Sequence, residues 1–193
     1  QDLQYCLCGE KAVPLQMKYQ GSNYGAIGMD DTLLNRVDLY SLPEDYVIMW
    51  FWDSDCGHCK KQTPKLWNLY EKYKKIGASL EVYAINIEQE TPSYLKYLRE
   101  NKYSWINVQD TAHLTKFRDY YDIYSTPVAF ILDKERRIIG KRIDPEAIDG
   151  FLEETFKKEG LNVEELKSQR KESENKKALS EATEPKKKNR RKK

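Results

Sequence analysis

Cys56 and Cys59 stand three positions apart, around Gly57 and His58, directly after the apolar run 46–52 and the polar turn Asp53-Ser54-Asp55. Two thiols so spaced at the start of a helix can close a disulfide within one turn. The first also sits where backbone N–H groups and the helix dipole favour an anion, which stabilises its thiolate. Such a pair does thiol–disulfide exchange: Cys56 attacks a partner's disulfide, and Cys59, one turn deeper, resolves the mixed disulfide. His58 between them adds a donor or cation that lowers the thiol pKa, whereas Asp53 and Asp55 oppose it. Contact with the helix terminus outweighs screened charges, so the Cys56 pKa is expected moderately below the free value of roughly 8.5.

C-x-x-C is also half of a zinc site, and Cys6/Cys8 would have to supply the rest. Their C-x-C spacing is tighter than structural sites use, so no metal is expected. An accessory disulfide, or thiols belonging to an upstream part, is the simpler account of Cys6 and Cys8. A second dithiol feeding Cys56/Cys59 is the sharper one.

The elements that must position this pair can be read on both sides. Residues 46–52 are aromatic and β-branched without polar alternation, as a central strand covered on both faces should be. From Cys59 to Ile76, Leu66, Leu69, Tyr70 and Tyr73 recur at helical spacing, with Pro64 inside the helix. A strand at 80–87, a helix from Thr91-Pro92 to Asn101, a short strand at 105–108 and a helix at 112–121 follow. The strand 128–132, a turn at 133–136, a returning strand at 137–143 and a helix opening at Asp144-Pro145 complete the order. Ahead of them, 12–17 reads as a short edge strand, 21–25 as a turn, and 37–42 as a weakly alternating segment. The sum is a βαβ unit and a ββα unit around one mixed sheet.

The 193 residues allow one ordinary domain plus a tail, and fourteen Tyr with four Trp supply a real core. The net charge of +2 hides a split. Residues 164–193 carry 12 Lys+Arg against 6 Asp+Glu, so the rest of the chain is mildly acidic. That tail has almost no aliphatic residue and is expected to be disordered. It lacks the interleaved aromatics of a nucleic-acid platform, so no nucleic-acid partner is expected. No run reaches the length of a membrane span. Gln1 in place of an initiator methionine suggests a trimmed start. We expect a lead-in over 1–35, the domain over 36–160 and a charged tail over 161–193, in a monomer. His113 reads as an ordinary surface residue.

The segment Trp50 to Lys65, with Cys56-Gly57-His58-Cys59 and Pro64 five residues after the second cysteine, resembles the active-site segment of the thioredoxin superfamily. The Gly-His filling is similar to that of protein disulfide isomerases. Ser125-Thr126-Pro127 before an apolar strand resembles that family's cis-proline loop. Together with the long lead-in, the strand 46–53 and Ile123 to Val128, the likeness is to bacterial envelope TlpA/ResA-like thiol–disulfide oxidoreductases, especially of Bacteroidota, over residues 9–160.

The resemblance implies an α/β thioredoxin fold, a central mixed sheet flanked by helices, with an N-terminal extension. It implies a redox-active Cys56/Cys59 pair tuned by His58, with Thr126, Pro127 and Gly57 docking protein thiol or disulfide substrates. The disulfide is itself the redox group, and no cofactor is implied. The implied setting is the periplasm or cell surface, reached through a missing N-terminal part and fed by a membrane electron donor. The Gly-His filling favours oxidation or isomerisation; the TlpA/ResA likeness favours reduction, the preferred reading. Two departures stand out. Trp50 replaces the buried carboxylate many thioredoxins carry six residues before the first cysteine, and Gln62 replaces a Glu common in the TlpA/ResA group. They leave room for a rival: a non-catalytic thioredoxin-like binding module whose dithiol is vestigial or holds metal.

Overall fold

The computed structural model describes residues 9–19, 36–88, 92–110, 115–161 and 168. The elements in chain order are β1 (Gln16–Tyr19), β2 (Arg36–Asp38), β3 (Tyr46–Trp52), α1 (Gly57–Lys75), β4 (Leu80–Asn86) and α2 (Pro92–Asn101). They continue with β5 (Ile106–Gln109), α3 (Phe117–Tyr121), β6 (Val128–Leu132), β7 (Ile138–Lys141) and α4 (Pro145–Lys158). The seven strands form one sheet in the order β2-β1-β5-β4-β3-β6-β7. β3 pairs parallel with β4 and antiparallel with β6, so the sheet is mixed.

All seven residues of β3 are buried, as its unbroken apolar run requires. Alternation along the strand divides them between two cores. Ile48, Trp50 and Trp52 pack with Leu66, Tyr73, Leu98, Ile148, Leu152 and Phe156, beneath α1, α2 and α4. Val47, Met49 and Phe51 pack with Phe117, Tyr121 and Phe130 on the opposite face, under α3. A fully buried side chain of this size contributes about 1.5–3 kcal/mol, so this strand anchors both layers. Pro64 lies inside α1 without ending it. Asp144 caps α4 by accepting the Glu146 N–H, with Pro145 in the first turn.

The structure corrects two expected elements. The strand placed at 12–17 is instead Gln16–Tyr19, and it is not at an edge: it pairs antiparallel with both β2 and β5. Pro14 has no N–H to give a ladder, so regular pairing starts after it. Of the helix expected over 112–121, residues 112–114 lie outside the described residues, and Thr115 and Lys116 precede α3, where Asp110 accepts both the N–H and the hydroxyl of Thr115 at 2.9 and 2.7 Å. A side chain that satisfies the backbone locally competes with a helical start.

The turn 133–136 also holds more than polar residues facing water. Arg136 is buried in a left-handed conformation, φ +60°, and its guanidinium donates to the carbonyls of Leu39, Leu42, Glu44 and Asp133. Cys6, Cys8, the turn at 21–25, His113 and the tail beyond Ser168 lie outside the described residues.

Candidate active site

The turn that ends β3 is built by its own side chains. The Asp53 carboxylate accepts the Asp55 N–H at 2.8 Å, and the Asp53 carbonyl accepts the Cys56 N–H at 3.3 Å. This Asx-type turn hands the chain to α1 with Cys56 as the capping residue, extended at φ −71° and ψ 118°. The Cys56 carbonyl accepts the Lys60 N–H at 3.0 Å, and the Cys56 sulfur accepts the Cys59 N–H at 3.3 Å. A sulfur thus occupies the place where Ser or Asp usually satisfies a helix's first donors.

Strand pairing brings the second half of the site. Phe51 of β3 lies opposite Val128 of β6, so the residues before Val128 face those after Trp52. The Thr126 carbonyl lies 3.7 Å from the Cys56 sulfur, and the Thr126–Pro127 peptide bond is cis. Cys56 is half-buried, Gly57 and His58 are exposed, and Cys59 is fully buried. Both thiols are unbonded, so this is the dithiol form.

Burial acts to raise the Cys56 pKa. It is outweighed by hydrogen bonds from the Cys59 backbone and thiol, from Thr126 and from the His58 backbone N–H, so the thiol is held below its ordinary value. Burial pushes the Cys59 thiol up to about 12, and the nearby Cys56 adds to the rise. Asp53 and Asp55, expected to oppose Cys56 ionisation, are not among the largest influences on it. Their carboxylates are engaged elsewhere, Asp53 with the Asp55 N–H and Asp55 with the Ser93 hydroxyl at 3.1 Å. The contribution from His58 comes through its backbone N–H.

The family match covers residues 44–138, described as Thioredoxin-like. ResA, a thiol–disulfide oxidoreductase of Bacillus subtilis, is 26% identical over 62% of this chain. The chain spans 65% of the length of that relative, less than two thirds of it. A solved domain described as a possible thiol-disulfide isomerase from Cytophaga hutchinsonii is 39% identical, with a TM-score of 0.67 over 80% of this chain and 96% of that one. The chain is a TlpA/ResA-like member of the thioredoxin superfamily. The thioredoxin domain of a thiol-disulfide oxidoreductase from Bacteroides vulgatus shares the fold at 21% identity, with a TM-score of 0.63 over 77% of this chain and 97% of that one.

Behind Cys59 of this TlpA/ResA-like chain lie Trp50 and Gln62, the two departures noted in the sequence. The buried Trp50 donates its indole N–H to Thr63 at 3.4 Å, and the pair fills the space under the first turns of α1. Gln62, one turn after Cys59, is buried, and its side-chain oxygen has no hydrogen-bond partner among the described residues. The buried carboxylate of Glu81 stands at the start of β4, at the opposite end of the sheet, held by Tyr70 and Lys74 at 3.2 Å each. Among the described residues, no three His, Cys, Asp or Glu side chains gather as a metal site would need.

The sequence reading of the site did not foresee the Asp55–Ser93 link, which pins the active-site turn to α2. An acidic residue beside a cysteine carries no signal for a serine 38 positions later.

Proposed function

We propose that this chain exchanges disulfides with protein thiols, with Cys56 as nucleophile and Cys59 as resolving thiol. The observation that carries the reading is the Cys56 sulfur, half-exposed at the N-terminus of α1 and 3.7 Å from the Thr126 carbonyl. In the reducing direction the Cys56 thiolate attacks one sulfur of a client disulfide. A Cys56–client bond forms, the client S–S bond breaks, and the departing client thiolate takes a proton. Cys59 then loses its proton and attacks the Cys56 sulfur. The second client thiolate leaves, the Cys56–Cys59 disulfide forms, and the client has gained two electrons.

The first step accounts for part of the second. While Cys56 is a thiolate, its charge helps keep Cys59 protonated. Once Cys56 is bonded to the client that charge is gone, and burial alone opposes Cys59 ionisation. Thr126 and Pro127 flank the client strand and Gly57 leaves room above the helix: a Cβ there would meet nothing within 4 Å. His58 tunes the pair through its N–H.

Reduction in the bacterial envelope, with electrons from a membrane donor, fits the ResA likeness. The dithiol also fits a Gly-His filling that favours oxidation. The standard potential decides the direction: a value near roughly −270 mV supports reduction and one near roughly −120 mV supports oxidation. Insulin reduction by wild type and by Cys56→Ser tests the chemistry itself. Loss of turnover in the variant is expected; unchanged turnover would remove Cys56 from the chemistry, and no turnover by wild type would favour the binding-module reading, to which Trp50 and Gln62 give room.

A further inference from the structure

Tyr124 is 84% exposed, far more than any other large apolar residue among those described; the next aromatics, Tyr120 and Tyr40, reach 39% and 36%. The backbone beneath it is fixed. The Ile123 side chain next to it is buried, and the Ile123 N–H donates to the Arg118 carbonyl at 3.0 Å. Tyr121 donates its hydroxyl to the Val13 carbonyl at 3.0 Å, and Asp122 pairs with Arg142 at 2.9 Å. A held loop therefore presents a large ring to solvent only two residues before Thr126, whose carbonyl meets the Cys56 sulfur.

We infer that Tyr124 is a specificity-determining residue that packs on an apolar side chain two positions from the reacting cysteine of a polypeptide client. The inference rests on the oxidoreductase reading. Two residues of chain span at most about 7 Å, so Tyr124 stands within that distance of Thr126, and an extended client covers the same span between a cysteine and its neighbour two positions away. A client cysteine bonded to Cys56 beside Thr126 therefore brings its neighbour two positions away within reach of the Tyr124 ring. The open space at Gly57 leaves the client backbone a path. An apolar residue suits the position because the charges beside it, Asp122 and Arg142, satisfy one another, while Ser125 and Pro127 carry none.

The test compares wild type, Tyr124→Ser and Tyr124→Phe, each as the full chain, on two cystine-bridged peptides and on glutathione disulfide. One peptide carries Leu two positions from each cysteine and the other carries Ser there. Wild type should favour the Leu peptide. Tyr124→Ser should lose about tenfold in kcat/KM on that peptide, through KM, a loss typical of one aromatic contact. Its rate on glutathione disulfide should be unchanged, and Tyr124→Phe should behave as wild type. Equal use of both peptides by wild type overturns the inference. So does a loss extending to glutathione disulfide, or a Phe variant that behaves like Ser. Turnover that survives Cys56→Ser refutes the oxidoreductase reading instead, and a Cys56-dependent reaction with no Leu preference refutes this inference alone.

Discussion

The Cys56 sulfur accepts the backbone N–H of Cys59 at 3.3 Å, so the proposed nucleophile is capped by the residue proposed to displace it. The two sulfurs experience opposite surroundings across one helical turn. Hydrogen bonds hold the first below its ordinary pKa, and burial drives the second up to about 12.

That contrast gives the two half-reactions different pH profiles. The attack step needs Cys56 as thiolate, so its rate should rise and level off at a pH below that of a free thiol, roughly 8.5. The resolving step needs Cys59 as thiolate and should still climb with pH where the first step has levelled. Stopped-flow kinetics against a disulfide peptide from pH 5 to 10 would resolve both phases. Parallel profiles would contradict the assignment.

His58 reaches Cys56 through its backbone N–H, so the residue's main chain should matter more than its ring. His58→Ala keeps the N–H and should leave the Cys56 titration nearly unchanged. His58→Pro removes the donor at a helix position that tolerates proline, and should raise the Cys56 pKa. A poorer leaving thiolate makes the disulfide harder to reduce, so the potential of the proline variant should be more negative. Thiolate absorbance and a glutathione redox titration measure the two effects. A larger shift in the alanine variant would assign the tuning to the imidazole.

Gln62 lies one turn after Cys59, its buried oxygen without a hydrogen-bond partner among the described residues. Gln62→Glu places an ionisable carboxyl there, and burial should raise its pKa towards the range of a useful base. The resolving step should accelerate by roughly tenfold or more at neutral pH, with the attack step unchanged. Rapid-quench trapping of the mixed disulfide measures both. No change in its lifetime would show that a carboxyl at this position does not reach the Cys59 proton.

Arg136 is a clamp with no carboxylate partner among the described residues: its guanidinium serves four backbone carbonyls between the β6–β7 turn and the segment leading into β3. Arg136→Ala strands those acceptors and should cost about 2–4 kcal/mol, read from urea denaturation. Arg136→Lys cannot fan out to four carbonyls and should recover only part. A loss within 0.5 kcal/mol or so, as at an ordinary surface site, would contradict the clamp.

The contrast between Arg136 and β3 shows what a sequence reveals. The run from Tyr46 to Trp52 announces a doubly covered strand because burial on both faces leaves no place for a polar residue, and the structure buries all seven. The cysteine pair announces itself by spacing. Arg136 sits in a charged run, Asp133 to Arg137, that reads as a solvated turn, and its four acceptors are carbonyls that no side-chain pattern encodes. That Thr115 and Lys116 stay outside α3 fails to show for a related reason: Asp110 holds Thr115 by a side-chain bond that helical periodicity does not register. Tyr124 is the reverse case, an aromatic in a largely apolar stretch that the loop turns outward.

The most direct test of the account is a covalent trap. Cys59→Ser, mixed with a disulfide-bonded client, should accumulate one stable adduct, and peptide mass mapping should place it on Cys56. An adduct elsewhere, or none while wild type turns over the same client, would contradict the central claim that the capping sulfur of α1 is the nucleophile.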